Sequence, residues 1–191
     1  MKPKLKQRVI KLLKEKGIGV LPTDTIYGLV GSALLRKIVE RIYRVRKRSP
    51  KKPMIVLISC LEDLSLFKVK LDQKTKKLLK KFWPGKVSII LPCSSKKFFY
   101  LHRGTKKIAF RLPKPKWLNG LLKETGPLVA PSANIESQPR AETIKEAKRY
   151  FGKNVDFYVS GGKLSGLAST LIEIRDKNII IKRKGVGKIK L

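Results

Sequence analysis

The sequence predicts a mixed α/β fold, a single sheet with helices packed on it. Three observations lead there. Short apolar runs at 18–21, 54–59 and 128–130 are strand-sized. Between them lie longer segments whose apolar residues recur at three- and four-residue steps. The last third is rich in strand-like runs, so strands alternate with helices first and then pair antiparallel. At roughly 150 residues per domain, 191 residues read as one domain spanning 1–191, and a hydrophobic fraction of 42% supplies its core.

Taken in order, residues 4–16 put Leu5, Val9, Leu12 and Leu13 on one face among lysines, an amphipathic helix stopped by Gly17. A strand at 18–21 ends at Pro22. Residues 34–47 carry Leu35, Ile38, Val39, Ile42 and Val45 at helical spacing with a basic outer face. This helix is expected to end before Ser49-Pro50, because the residue preceding a proline disfavours the helical region. Pro53 opens the near-continuous apolar strand 54–59, of the kind buried on both faces. Asp72 is placed to cap a helix through Phe82, which Trp83-Pro84-Gly85 breaks before a strand at 87–91. A strand at 108–112, a helix at 115–124 and a short buried strand at 128–130 follow. A helix at 142–150 leads to strands at 155–159, 169–174 and 179–182.

Charge narrows the partners. Forty-six Lys+Arg stand against 13 Asp+Glu, a formal charge of +33, and Glu does not keep pace with Lys. That balance points to an anionic ligand: nucleic acid, nucleotide phosphates or anionic lipid. The apolar runs fall far short of the ~20 residues that span a bilayer, and the basic start has no uninterrupted apolar stretch behind it. A soluble cytoplasmic protein without a membrane partner is expected. Cys60, Cys93 and the lone His102 offer no zinc-ligand spacing, so no metal site is expected. A nucleophilic triad would have to use His102, which has no acid near it in sequence. The carboxylates are scattered mostly singly, which disfavours paired-carboxylate glycosidase chemistry.

Three polar clusters begin where strands or helices end, the place where ligands collect in α/β sheets. Pro22-Thr23-Asp24-Thr25-Ile26-Tyr27-Gly28 offers two hydroxyls and a carboxylate, or else a turn and helix cap. Residues 41–53 carry Arg46 and Arg48 two apart. In an extended loop they project to one side, where two guanidiniums suit a phosphate or carboxylate; a solvated basic face is the alternative. Pro131-Ser132-Ala133-Asn134 offers neutral donors and acceptors at alternate positions, or a Ser/Asn turn.

Thr23-Asp24-Thr25-Ile26-Tyr27-Gly28-Leu29, Arg46-Lys47-Arg48, Trp83-Pro84-Gly85, Arg111-Leu112-Pro113, Ser132-Ala133-Asn134 and Ser169-Thr170 occur in the order of the YrdC-like (TsaC) family, which the chain resembles from about Gly17 to Gly185. Each motif is weak alone; six in order are specific. The length matches the family's short form. The resemblance implies a twisted mixed sheet flanked by helices, with a concave basic face. It implies synthesis of L-threonylcarbamoyladenylate and pyrophosphate from L-threonine, bicarbonate and ATP. That product serves tRNA threonylcarbamoyladenosine modification, with tRNA and the tRNA-threonylcarbamoyl transferase machinery as further partners.

The same resemblance assigns Arg46 and Arg48 to catalysis on the phosphates or carboxylates of the intermediate. Thr25, Arg111, Ser132 and Thr170 would bind threonine; Arg48, Lys52, Asn134 and Arg183 would bind ATP. Mg2+ would arrive with ATP, held by its oxygens. Arg48→Ala and Asn134→Ala are expected to abolish turnover while leaving thermal unfolding nearly unchanged. The chain also departs from the family pattern. Arg46 stands for the usual Lys, Leu57 for a threonine-contacting His, Glu136-Ser137 for Ser-Gly, and Lys86 and Ser88 for Pro and Thr. These departures and the charge keep open an alternative: a non-catalytic module of the same fold that binds tRNA or structured, double-stranded RNA through shape and backbone.

Overall fold

The computed structural model describes residues 2–175 and 178–189. Its nine strands are β1 (Gly19–Pro22), β2 (Tyr27–Ser32), β3 (Ile55–Leu57), β4 (Val87–Pro92), β5 (Lys107–Arg111), β6 (Leu128–Val129), β7 (Phe157–Tyr158), β8 (Thr170–Arg175) and β9 (Asn178–Arg183). They form one mixed sheet in the order β7-β1-β2-β6-β3-β5-β4-β8-β9. The pairs β1–β7, β3–β5 and β4–β8 are parallel and the others antiparallel, including the β8–β9 pair at the end of the chain. The fold is the α/β arrangement that the alternating pattern predicts.

Six α-helices flank the sheet: α1 (Pro3–Lys14), α2 (Arg36–Val45), α3 (Gln73–Phe82), α4 (Phe99–His102), α5 (Lys116–Thr125) and α6 (Ile144–Phe151). Asp72 caps α3 as expected, accepting from Thr75 N at 2.6 Å. Thr143 does the same for α6 through Glu146 N. On one face, α2, α3, α4 and α6 bury a core that includes Ile38, Ile42, Phe67, Leu79, Phe82, Phe98, Leu101 and Phe151. On the other face, α1 and α5 cover only the β1–β2–β6–β3 half, through Val9, Leu13, Leu118 and Leu122 against Leu21, Val30 and Leu57. The rest of that face is open.

Five elements among the described residues were not expected from sequence: β2, α4 and 3-10 turns at Glu62–Phe67, Lys96–Phe98 and Gly152–Asn154. The β2 segment holds two glycines, which lowers strand propensity, and reads instead as part of a polar turn. Tertiary packing demands it nonetheless: a side chain at Gly31 would come within 2.6 Å of Ile38 Cγ2 and 2.8 Å of Ile18 Cγ2. No helix among the described residues is long and apolar enough to cross a membrane.

Candidate active site

The uncovered half of the sheet forms the floor of a cavity of about 650 Å³. Its floor comes from Ile55, Ile90, Ala109, Arg111, Leu171 and Glu173, and its rim from the three polar clusters.

The first cluster is the β1–β2 turn. Thr23 Oγ1 donates to Ile26 O at 2.7 Å and accepts from Thr25 N and Ile26 N, so one hydroxyl fixes the turn. Thr25, 9% exposed, faces the cavity. The turn and the polar rim, weighed as alternatives from sequence, are the same object.

The second cluster closes α2. Lys47 takes a left-handed conformation (φ 47°), Arg48 N donates to Tyr43 O, and Lys47 N donates to Arg44 O. These paired bonds form a Schellman stop, so α2 ends by its own C-terminal geometry well before Pro50. Arg46 and Arg48 both line the cavity, but through this reversal and not through an extended loop. Arg48 also braces the following loop, donating from Nε to Lys52 O and from Nη2 to Pro53 O.

The third cluster follows β6. Ala133 N donates to Tyr27 O and Leu29 N to Pro131 O, which lays the segment against β2. Ser132 Oγ donates to Asn134 Oδ1 at 2.7 Å. Arg46 joins both: Nε donates to Asn134 O at 3.0 Å, Nη2 to Asn134 Oδ1 at 2.8 Å and to Ser132 Oγ at 3.3 Å. Arg46 is 2% exposed, and its Nη1 is buried without a hydrogen-bond partner among the described residues. Burial, then the neighbouring Arg48, pulls the guanidinium down to about 10.

At the floor, Arg111 Nη2 lies 3.0 Å from Asp24 Oδ1, and both side chains are almost fully buried. Burial drives the pair toward neutrality from both sides, raising the Asp24 carboxyl and lowering the Arg111 guanidinium. Along β5, Lys107, Ala109 and Arg111 alternate onto the cavity face. Lys107 and Lys182 both reach Glu173, at 2.5 and 3.4 Å. Arg183 donates to Ser169 O at 2.9 Å, and Ser169 Oγ pairs with Ser88 Oγ at 2.8 Å.

Of the residues expected at the site, Thr25, Arg46, Arg48, Arg111, Ser132 and Arg183 line the cavity. Asn134 sits one layer behind, donating from Nδ2 to Ile135 O and Gln138 O while its Oδ1 receives Arg46. Lys52 points to Glu136, 2.5 Å away, and is not on the wall. Thr170 Oγ1 donates to Gly187 O and accepts from Gly185 N, tying the C-terminal segment to β8. Leu57 packs in the core beneath α1 and α5. Lys107, Arg140, Glu173 and Lys182 line the cavity without having been singled out, and Ser169, quoted as part of a motif but given no role, lines it too. For Lys107 the signal was present: two-residue steps on a strand place it on the Arg111 face.

Comparison with known proteins supports the same reading of the fold. The sequence model of the Sua5/YciO/YrdC family, described as "Telomere recombination", matches residues 11–185. The chain belongs to this family. A Sua5/YciO/YrdC relative from Bacillus subtilis, named threonylcarbamoyl-AMP synthase, is 30% identical over 91% of this chain and 51% of its own length. The crystal structure of Pyrococcus abyssi Sua5 complexed with L-threonine superposes with a TM-score of 0.88 at 26% identity, over 97% of this chain and 55% of that one. Escherichia coli YciO gives 0.86 at 26% identity, over 99% of this chain and 93% of its own. The chain thus spans about half the length of the first two and nearly all of the third.

Proposed function

We propose that this protein is a threonylcarbamoyl-AMP synthase, acting on L-threonine, bicarbonate and ATP. The observation that carries the reading is Arg46 held between Ser132 and Asn134 with its buried Nη1 amino group left without a hydrogen-bond partner among the described residues. Arg48 and Arg111 stand on the same cavity wall. A desolvated guanidinium with an unmet donor favours an anion, and a cavity with several such cations suits a nucleotide triphosphate. The names of the Bacillus subtilis and Pyrococcus abyssi relatives supply the chemistry that this geometry fits.

In the proposed reaction the threonine amine attacks the bicarbonate carbon, a C–O bond breaks, and water leaves a carbamate. A carbamate oxygen then attacks the α-phosphorus of ATP, the bond to the bridging oxygen breaks, and pyrophosphate departs. Little covalent chemistry falls to the protein; positioning and cations that offset phosphate charge supply the acceleration. Arg46 and Arg48 would take phosphate oxygens, and Thr25, Ser132 and Arg111 would orient threonine. Mg2+ would come bound to ATP. Glu173, the carboxylate on the cavity wall, is already bridged to Lys107 and Lys182.

The test is pyrophosphate release by purified protein given ATP and Mg2+, with threonine, serine or no amino acid, with and without bicarbonate. Release that requires both threonine and bicarbonate is expected. Release indifferent to either one overturns the proposal.

A further inference from the structure

The positive charge is not evenly spread along the chain. Residues 73–123 contain fifteen Lys+Arg and not one Asp or Glu. In the fold this stretch supplies α3, β4, α4, β5 and the start of α5, and so the β4–β5 side of the cavity. Three of its cations pair with carboxylates, Arg111 with Asp24 among them. Arg103 pairs with Glu40 at 2.9 Å and lies 4.0 Å from the centre of the Tyr43 ring. Lys107 is paired with Glu173. Lys96, Lys97 and Lys106 are exposed and form no ion pair with another described residue.

Among those lysines stands Phe99, with 57% of its surface exposed. One exposed aromatic residue is ordinary on a protein surface. Its setting is not. Its chain neighbours Phe98 and Tyr100 are both buried, which anchors the backbone on either side of the exposed ring. The ring edge lies 3.9 Å from where a side chain on Gly104 would begin, and the next residue, Thr105, is on the cavity wall with Lys107. An exposed ring, packed edge-on against His102 with centroids 5.6 Å apart and flanked in sequence by exposed lysines, therefore stands beside the segment that leads to the cavity wall. Aromatic rings interleaved with cations are what a single strand with unstacked bases recognises. A duplex keeps its base faces stacked inside and presents only backbone and groove edges.

We propose that the ridge formed by residues 96–107 is a docking surface for single-stranded nucleic acid, with Phe99 stacking on a base and Lys96, Lys97 and Lys106 meeting the flanking phosphates. The contacting residues Lys96, Lys97, Phe99 and Lys106 are not among those that line the cavity, and the site does not depend on the synthase reading. A strand bound there would leave the cavity open to its own ligands.

The experiment is fluorescence anisotropy of short labelled oligonucleotides at low salt on the whole protein: mixed-sequence single-stranded RNA, the matching DNA, and the RNA duplex. Phe99→Ala is expected to weaken single-strand binding by about tenfold and leave duplex binding unchanged, in line with the loss of one base–aromatic stack. Phe99→Trp keeps the affinity and adds an indole whose emission is quenched as the strand binds. Replacing Lys96 and Lys97 together by Ala flattens the salt dependence of single-strand binding by about 1.4 in slope, two phosphate contacts' worth. Saturating ATP leaves the single strand bound. The RNA and DNA arms show whether the 2′-hydroxyl contributes, and binding of either supports the site. Phe99→Ala that binds single strands as well as the parent, exclusive binding to duplex, or equal capture of polyglutamate would each overturn the proposal.

Discussion

Arg46 and Asn134, 88 residues apart in sequence, meet through two hydrogen bonds at 3.0 and 2.8 Å, so that the end of α2 and the segment after β6 form one unit. An arginine can do this because its fork has donors to spare: Nε takes the backbone oxygen, Nη2 the side-chain oxygens, and Nη1 is left over. The single ammonium of the lysine that the family resemblance implies at this position has no such fork. The substitution therefore gives the site a structural tie as well as a charge.

This tie changes what Asn134→Ala does. Sequence alone suggests loss of turnover at constant stability. With four hydrogen bonds to its side chain, one from a buried guanidinium, removal should cost about 2–3 kcal/mol as well. Urea unfolding of the variant is expected to show a lower midpoint at unchanged slope. Arg48→Ala is the contrast, because Arg48 is half-buried and among the described residues its side chain donates to two loop carbonyls. Its midpoint should stay close to the parent's while pyrophosphate release is lost. Equal midpoints for the two variants would contradict the structure.

The Asp24–Arg111 pair gives a second test. Both groups surrender hydration and burial disfavours the charge on each, so the pair is costly to bury and costlier to break. Asp24→Leu alone should destabilise by about 3–5 kcal/mol, because it strands a buried guanidinium. Adding Arg111→Met should recover much of that stability without restoring turnover. A double variant less stable than Asp24→Leu would show that the two charges do not compensate each other.

Much of the fold was legible because it rests on local periodicity. Ile38, Val39 and Ile42 mark the buried face of α2, and Asp72 its successor's cap, whatever lies around them. β2 was not legible, since Gly28 and Gly31 are demanded by how neighbouring elements fold back on the strand, through Thr23, Ile18 and Ile38, and not by a pattern within it. At the site, the order of motifs identified the cavity residues Thr25, Arg46, Arg48, Arg111, Ser132 and Arg183, but not what each one touches. Lys52 and Glu136 lie 84 residues apart, and no local pattern announces that one neutralises the other. Thr170 is likewise diverted, its hydroxyl held by Gly185 and Gly187.

Glu136 predicts a pH effect. The Lys52 ammonium, then Ser49 N–H, hold its carboxyl below the usual carboxylate range. A depressed carboxyl stabilises the folded state above its unfolded value, and that contribution disappears as pH falls through the folded value. Hydrogen exchange of the 46–52 loop should therefore quicken, relative to the sheet, as pH drops below the ordinary glutamate range. Glu136→Gln should show the quicker relative exchange already at neutral pH and no further acid transition. A parent loop whose protection tracks the sheet at every pH would refute this clamp.

Tyr27 makes the last prediction, one about the segment that leads into the cavity. Its ring is fully buried in β2, and its hydroxyl donates to Gly162 O at 2.7 Å while accepting from Gly161 N at 2.8 Å. Two backbone groups of the 160–169 segment thus depend on one phenolic oxygen, and that segment delivers Ala168 and Ser169 to the cavity wall. Tyr27→Phe keeps the ring and its packing but leaves both groups without that partner, at a cost of about 1–3 kcal/mol. The loss should be local. The Gly161 amide should exchange about tenfold faster or more, while amides in β4 and β5 change only with global stability. If Gly161 keeps its protection in Tyr27→Phe, the hydroxyl does not hold the segment, and its route to the cavity must be fixed by Arg140, whose Nη2 donates to Ser165 O, or by Leu164 N bonding Glu142 O.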